Sequence, residues 1–460
     1  MRVMLATLAL SIISAGTLAA EEQPYQIEPV TTLCKAAANP ANPANYRSSE
    51  LSSFQHLVAG SHGWVYRSKT DFIEDFRHSK RYQGLARFND ALSRRGIRLV
   101  VMYYPTRGLI NPSDAPDSEF NAEAAKYSYL AKLKKLREVG VLIPHFEDLL
   151  DAQNADRPLY FKRDIHWTPD GSRAVAFEVA KAIRNSVSLD PNTHSNVVIT
   201  KQGRYSGTNS IASAIKQLCN QQYAPEYVQG YGYEVQSNDT SDKSAQVVLI
   251  GGGFTALADL NFIGFLQNEL SAPVEDFTQV SGGLLGGWSA YLKSEAMTHS
   301  PPKVIVWEVP PYYPLDDDKA FAQLTPMLDG GCSNKRTVAR TTFNQYDYNT
   351  GSISAYLGNS VESKSLRNLI LELDVAAPDV EEVGFKAWYS DGQVRSSSLQ
   401  HSRSLNGASQ FVFELSGNLL TPSGHLIALE LTQVNGQSAA RFKRANRRAQ
   451  MSVKVCSRGR

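Results

Sequence analysis

Val247-Val248-Leu249-Ile250 is an unbroken apolar run, and Gly251-Gly252-Gly253-Phe254-Thr255 follows it directly. Adjacent apolar residues without alternation suit a strand covered on both faces. The three glycines allow a tight connection or a close approach of backbone to ligand. Similar runs stand on either side, at Leu99-Val100-Val101-Met102-Tyr103, Val141-Leu142-Ile143 and Val304-Ile305-Val306-Trp307. Helical patterns separate them. Leu85, Phe88 and Leu92 stop at Gly96, and Leu130, Leu133 and Leu136 stop near Gly140. From about residue 50 to 315, strand–helix–strand order predicts an α/β region with a parallel sheet flanked by helices.

Beyond a proline-rich stretch, Ser300 to Pro314, and the pair Gly330-Gly331, the period changes to two. Leu369, Leu371, Leu373 and Val375 alternate with mostly polar partners; so do Val383, Phe385, Ala387 and Tyr389, then Phe411, Phe413 and Leu415, then Ile427, Leu429 and Leu431, then Val453 and Val455. Strict alternation predicts an antiparallel β-sandwich. The expected division is residues 21–330 for the α/β region and 335–460 for the sandwich.

The chain has 460 residues, 42% hydrophobic and 20% charged, with a formal net charge of +2. That excludes a disordered tail, a collagen-like fibre and a multi-span membrane protein. It also leaves no overall field that would condense nucleic acid. Charge is uneven, however: no acidic residue follows Glu430, while Arg441, Lys443, Arg444, Arg447, Arg448, Lys454, Arg458 and Arg460 do. The basic end is either a solvated edge or a surface for a polyanion.

Met1 and Arg2 precede a mostly apolar run from Val3 to Ile13, then mainly small residues to Ala20, then Glu21-Glu22. This predicts an export signal over residues 1–20, with a single membrane anchor as the alternative. No other segment is long and apolar enough to span, so no integral span is expected after cleavage. Four cysteines fit that compartment: Cys34, Cys219, Cys332 and Cys456. They allow three connectivities; Cys34–Cys219 with Cys332–Cys456 is the one that closes within each half. No CxxC or CxH spacing exists, so no metal site is expected.

In an open parallel sheet, ligands bind beyond the carboxyl ends of the strands. Pro105-Thr106-Arg107-Gly108, Gly251 to Thr255 and Glu308 to Tyr313 should therefore border one cleft. The segment Arg163-Asp164-Ile165-His166-Trp167-Thr168-Pro169 adds chemistry. Thr168 is a good N-cap and Pro169 a good first helical residue, which puts His166 on the turn ahead of a helix. Asp164 lies two residues earlier, where an extended backbone would put both side chains on one side. A carboxylate beside an imidazole fixes its tautomer and raises its basicity, as a general base needs. The other reading makes Asp164 a loop cap and His166 a packing residue. A serine in the glycine turn would complete a nucleophile–base pair with backbone donors around it. The turn is not GxGxxG and no acidic ribose ligand follows, so no dinucleotide cofactor is expected.

These stretches resemble the AlgX family of periplasmic alginate O-acetylation proteins, which carry an SGNH-hydrolase-like domain. Leu57 to Ser68, containing Gly60-Ser61-His62-Gly63-Trp64-Val65-Tyr66-Arg67, looks like the family's "GkdGWlfr" opening. Pro105 to Gly108 is similar to its "PtRG" turn, and Arg163 to Thr168 to its "RDxHWT" motif. Asn261-Phe262 with Gly264-Phe265 resembles the segment after the serine loop. The resemblance implies a carbohydrate-binding C-terminal module, a periplasmic location, alginate or polymannuronate as partner, and other periplasmic alginate secretion proteins nearby. It also implies Asp164 and His166 as triad members, with Arg107 and Arg163 at the substrate.

One departure matters. The family's nucleophile turn reads like "GTSxS", and the serine position is Gly253 here. Thr255 is the nearest hydroxyl, but a nucleophile displaced by ~1 Å can lose about 10²-fold in rate. On the sandwich, Lys386 and Trp388 fall opposite the apolar face, with Arg395 following. An indole beside an ammonium suits a uronate polymer. Three readings result: an O-acetyltransferase, a catalytically inactive polysaccharide-binding scaffold, and a metal-dependent hydrolase that lacks further ligands. The side chain at 253 favours the second.

Overall fold

The computed structural model describes residues 33–38, 46, 49–76, 82–150, 158–236, 245–280, 283–316, 318–358, 361, 365–377, 379–400, 409–415, 419–420 and 424–458. The expected export signal lies outside them. Among the described residues no helix is long and apolar enough to cross a membrane.

The apolar runs form a parallel sheet: β1 (Arg98–Met102), β2 (Val247–Ile250), β3 (Val274–Asp276) and β4 (Val304–Glu308), in the order β1-β4-β2-β3. Every neighbouring pair is parallel. Leu99 to Met102, Val247 to Ile250 and Val304 to Trp307 are all 1% exposed or less, because helices cover both faces. Each such side chain contributes about 1.5–3 kcal/mol of burial. Helix Gln83–Ser93 runs ahead of β1 and is closed by Gly96 at φ +76°, a value that suits glycine. Helix Ala122–Glu138 ends likewise before Gly140, but Leu130 on it faces solvent while Tyr129 takes the buried position.

Val141-Leu142-Ile143 is not a full strand. Only Leu142 bridges to Val100, with Val101 N donating to Leu142 O and Leu142 N to Leu99 O. Pro144 follows at once, and proline has no N–H to continue a ladder. A two-stranded ribbon, Asn196–Tyr205 with Val228–Gln236, was not legible: its strands are polar and largely solvated on both faces, so no period marks them.

The C-terminal alternation gives two antiparallel sheets. In chain order the strands are β5 (Thr337–Thr342), β6 (Gln345–Asp347), β7 (Ser352–Tyr356), β8 (Leu369–Val375), β9 (Glu382–Tyr389), β10 (Val394–Gln400), β11 (Ser409–Glu414), β12 (Leu426–Val434) and β13 (Met451–Ser457). One sheet runs β6-β7-β12-β9-β10 and the other β11-β8-β13-β5. Their inner faces share one core: Phe385 of the first sheet meets Phe413 of the second at 5.2 Å between ring centroids. The two regions are joined by Arg87–Glu414 at 2.8 Å and by Gln323, which exchanges hydrogen bonds with the backbone of Gln400. Disulfides pair Cys34 with Cys219 and Cys332 with Cys456, each with 5.7 Å between Cα atoms.

Candidate active site

The carboxyl ends of β2 and β4 carry the site's floor. After Ile250 the chain turns through Gly251 and Gly252 into a short helix, Gly253–Ala256. Glu308, the last residue of β4, sits beneath this turn. Its Oε2 accepts from Gly252 N at 2.8 Å, Thr255 N at 3.2 Å and Thr255 Oγ1 at 2.5 Å. Burial pushes the Glu308 carboxyl up, against the opposing pull of those hydrogen bonds. A Cβ on Gly251 would collide with Thr255 Oγ1 and come within 2.8 Å of Glu308 Oε2, so packing requires glycine there.

Gly253 is different. A Cβ there would stand 3.3 Å from His166 Nε2 and within 4 Å of no other heavy atom outside its own turn. The imidazole is the one neighbour a side chain here would meet, and it would have to give by a few tenths of an ångström. Phe254 lies against the His166 ring at 5.0 Å between centroids, and Trp167 and Tyr104 pack on Phe254 in turn.

His166 sits just ahead of helix Pro169–Ser186, whose cap is Thr168: its Oγ1 accepts from Gly171 N at 3.0 Å. The backbone from Lys162 to His166 loops rather than runs extended, between the bridged residues Tyr160 and Trp167. Asp164 nevertheless meets the imidazole, with His166 Nδ1 2.8 Å from Asp164 Oδ1. The carboxylate also takes Thr208 Oγ1 at 2.6 Å, Ser210 Oγ at 3.0 Å and His166 N at 3.1 Å. Burial opposes ionisation of Asp164, but the hydrogen bond and charge of His166 and the Thr208 hydroxyl outweigh it. The carboxyl is held well below the usual range. The Nδ1 side of the ring is thus occupied, and Nε2 is the atom offered to Gly253.

Thr208 and Ser210 were not anticipated. They lie more than 40 residues on, Thr208 in a loop with Gly207 at φ +66° and Asn209 at φ 52°, Ser210 at the start of helix Ser210–Cys219, and no spacing signals them. Glu308 carried a readable signal: an acidic residue ending a wholly apolar strand. Thr255 does not replace a serine, because it is buried with its hydroxyl committed to Glu308. Among the described residues no group of three or more His, Cys, Asp or Glu side chains is placed to share a metal ion.

The two arginines expected at the substrate hold the scaffold instead. Arg107 is 2% exposed. Its guanidinium binds Asp71 at 2.7 Å and the carbonyls of Val65, Phe161 and Lys162, and lies over the rings of Trp64 and Tyr66. Arg67 completes a buried cluster on Asp71 at 3.1 Å. Asp71 stays low despite burial because both cations face it. This ties the Trp64 segment, the Arg107 turn and the loop carrying Asp164 together. Arg163 is also buried, over the Tyr223 ring, and its backbone N donates to Glu226.

On the sandwich, Lys386 and Trp388 do share the outward face of β9, but Glu430 lies between them. Lys386 Nζ is 3.2 Å from Glu430 Oε1 and Trp388 Nε1 donates to Oε2 at 2.8 Å. The ammonium is therefore already paired. Arg395 falls on the other face: register sets it opposite the core residue Ala387, whereas Val394 pairs with Trp388. The face holds another aromatic. Ala428 of β12 pairs with Trp388 on one side and Tyr356 on the other. The two rings, 39% and 50% exposed, flank a small residue across two strand spacings, ~10 Å.

Residues 57–311 match the family described as SGNH hydrolase-like domain, acetyltransferase AlgX. The chain is 29% identical over 417 residues to the alginate biosynthesis protein AlgX of Pseudomonas aeruginosa, covering 88% of this chain and 86% of that protein. It is 24% identical over 280 residues to the probable alginate O-acetylase AlgJ of Pseudomonas syringae pv. tomato, covering 57% and 70%. The solved structure of Pseudomonas aeruginosa AlgX superposes with a TM-score of 0.78 at 27% identity, covering 93% of this chain and 100% of that one.

Proposed function

The chain belongs to the AlgX family of SGNH-hydrolase-like proteins, and from that premise we propose that it is a periplasmic alginate-pathway protein that binds polymannuronate and forms no acyl-enzyme. The observation that carries this reading is an oriented imidazole facing a residue without a side chain: His166 Nε2 opposite Gly253. Glycine has no atom to bond to an acyl carbon. Binding falls to the sandwich, where Trp388 and Tyr356 offer stacking platforms separated by about two sugar units. Positive charge comes from Arg444, Arg447 and Arg448, which line a cavity of about 420 Å³ with Ala376 and Ala377. Export fits the two disulfides, and association with other periplasmic secretion proteins rests on the family alone.

O-acetylation through a serine is the second reading. The intact Asp164–His166 pair favours it and the side chain at 253 opposes it. Calorimetric titration with mannuronate oligosaccharides, beside sulfonyl fluoride labelling followed by intact mass, tests both. Saturable binding without an adduct is expected. An adduct that His166→Ala abolishes would refute the first reading.

A further inference from the structure

We propose that His166 activates a water molecule in the space beside Gly253, and that the site cleaves acetyl esters by direct displacement. Three observations carry this. The position a Cβ would take on Gly253 is 3.3 Å from Nε2 and meets no other heavy atom within 4 Å, so a water oxygen in van der Waals contact with the Gly253 backbone, farther out on that side, has open space within hydrogen-bond reach of the ring. Asp164 holds the opposite ring nitrogen at 2.8 Å, which leaves Nε2 as the acceptor. The hydroxyls close by are committed elsewhere: Thr255 Oγ1 donates to Glu308 and Thr208 Oγ1 to Asp164. A glycine that only the imidazole crowds, in front of a base held by a carboxylate that Thr208 and Ser210 fix in turn, is an arrangement for a small nucleophile that is not part of the chain.

The step balances without any other reactant. The water oxygen bonds to the acetyl carbonyl carbon, the carbonyl π pair moves onto its oxygen, and one water proton passes to Nε2. When the tetrahedral intermediate collapses, the bond from carbon to the sugar oxygen breaks. The departing oxygen takes the proton from Nε2. The products are acetic acid and a free sugar hydroxyl, and His166 returns to its starting form. Asp164 remains ionised throughout and stabilises the transient imidazolium. The substrate class, O-acetylated uronate chains, rests on the polymannuronate reading above; the chemistry at His166 does not.

The full chain, His166→Ala and Gly253→Ala are to be compared on 4-nitrophenyl acetate and on O-acetylated mannuronate oligosaccharides, measuring acetate release. The parent is expected to exceed His166→Ala by about 10²-fold, the usual contribution of a positioned general base. It should show neither a burst nor an acetylated protein mass. Gly253→Ala puts a methyl between the backbone and Nε2, where it crowds out the water, and should lose at least ~10-fold while keeping its melting temperature. A binding-only site would be indifferent to that methyl. Equal rates for parent and His166→Ala on both substrates, full activity in folded Gly253→Ala, or an accumulating acetyl-protein would overturn the mechanism. Cleavage of the simple ester alone would uphold the mechanism and overturn uronate as its substrate. Cleavage of neither, with oligosaccharide binding intact, would overturn the proposal and leave the binding reading standing.

Discussion

Gly253→Ser should convert this site into an acyl-enzyme former. The new Cβ stands 3.3 Å from His166 Nε2 with no other atom in the way. One staggered rotamer then carries Oγ to within ~2.6–3.2 Å of Nε2, the reach a nucleophile–base pair needs. The base is already oriented by Asp164, Thr208 and Ser210, so no further residue has to change. In serine hydrolases, loss of one triad member costs about 10⁴–10⁶-fold, and ~1 Å of misplacement costs about 10². Dividing the first range by the second, acylation about 10²–10⁴-fold above the background rate of the double variant with His166→Ala is expected. The cost to stability should be small, because residue 253 lies in a helical first turn where serine is tolerated. The assay is sulfonyl fluoride labelling read by intact mass, together with the burst of nitrophenol from 4-nitrophenyl acetate. The double variant with His166→Ala should lose both signals. A folded Gly253→Ser protein that takes no label and shows no burst would refute the claim that turn and imidazole are in register.

Trp388→Ala should weaken oligomannuronate binding at every salt concentration, whereas neutralising Arg444, Arg447 and Arg448 should weaken it mainly at low salt, since charge is screened over about 8 Å at physiological ionic strength; titrations at two ionic strengths separate the two. Removing the Cys332–Cys456 disulfide, with its sequence separation of 124 residues, should cost about 4–5 kcal/mol by the chain-entropy relation, read as a shift in urea midpoint; an unchanged midpoint would count against it. Burial lifts the Glu226 carboxyl from 4.5 to about 7, against the backbone N–H groups of Lys162 and Arg163 that it accepts. The folded chain therefore keeps a proton that the unfolded chain releases, and stability falls as pH rises from about 4.5 through 7. Glu226→Gln should be more stable than the parent by about 1–3 kcal/mol at pH ~8 and show no gain near pH ~4; parallel stability curves would argue against the shift.

Much of this was legible because the signals are local. Four apolar residues in a row at Val247, followed by glycines and too short for a helix, suit a doubly covered strand beside helical neighbours. Strict alternation at Leu369 and Val383 can only bury one face. The cap at Thr168 and the proline after it place His166 without any structure. The failures have equally local causes. Val141-Leu142-Ile143 has a strand's composition, yet Pro144 ends its ladder after a single bridge. Arg107 and Arg163 look like ligands for a uronate because a cation near a cleft is read as exposed; buried pairing on Asp71 and packing over Tyr223 are properties of neighbours distant in sequence. Arg395 was grouped with Trp388 because the turn length into β10 sets the facing, and a shift of one residue reverses it.

Sequence by itself determined the two architectures; it offered Asp164 and His166 as one of two readings, and the resemblance to the family's motifs marked 253 as the position without its serine. Each of these depends on residue type and period over a few positions, which a linear chain displays. Tertiary structure alone decided that Gly253 faces Nε2 and no other side chain, that Glu308 braces the turn from beneath, and that Thr208 and Ser210 hold Asp164. It also decided that Glu430 neutralises Lys386 beside Trp388, while Ala428 separates Trp388 from Tyr356. Those facts are distances between atoms brought together by chain crossings of tens of residues, and the direction in which a side chain meets its partner is set only when the sheet order and the loop paths are fixed.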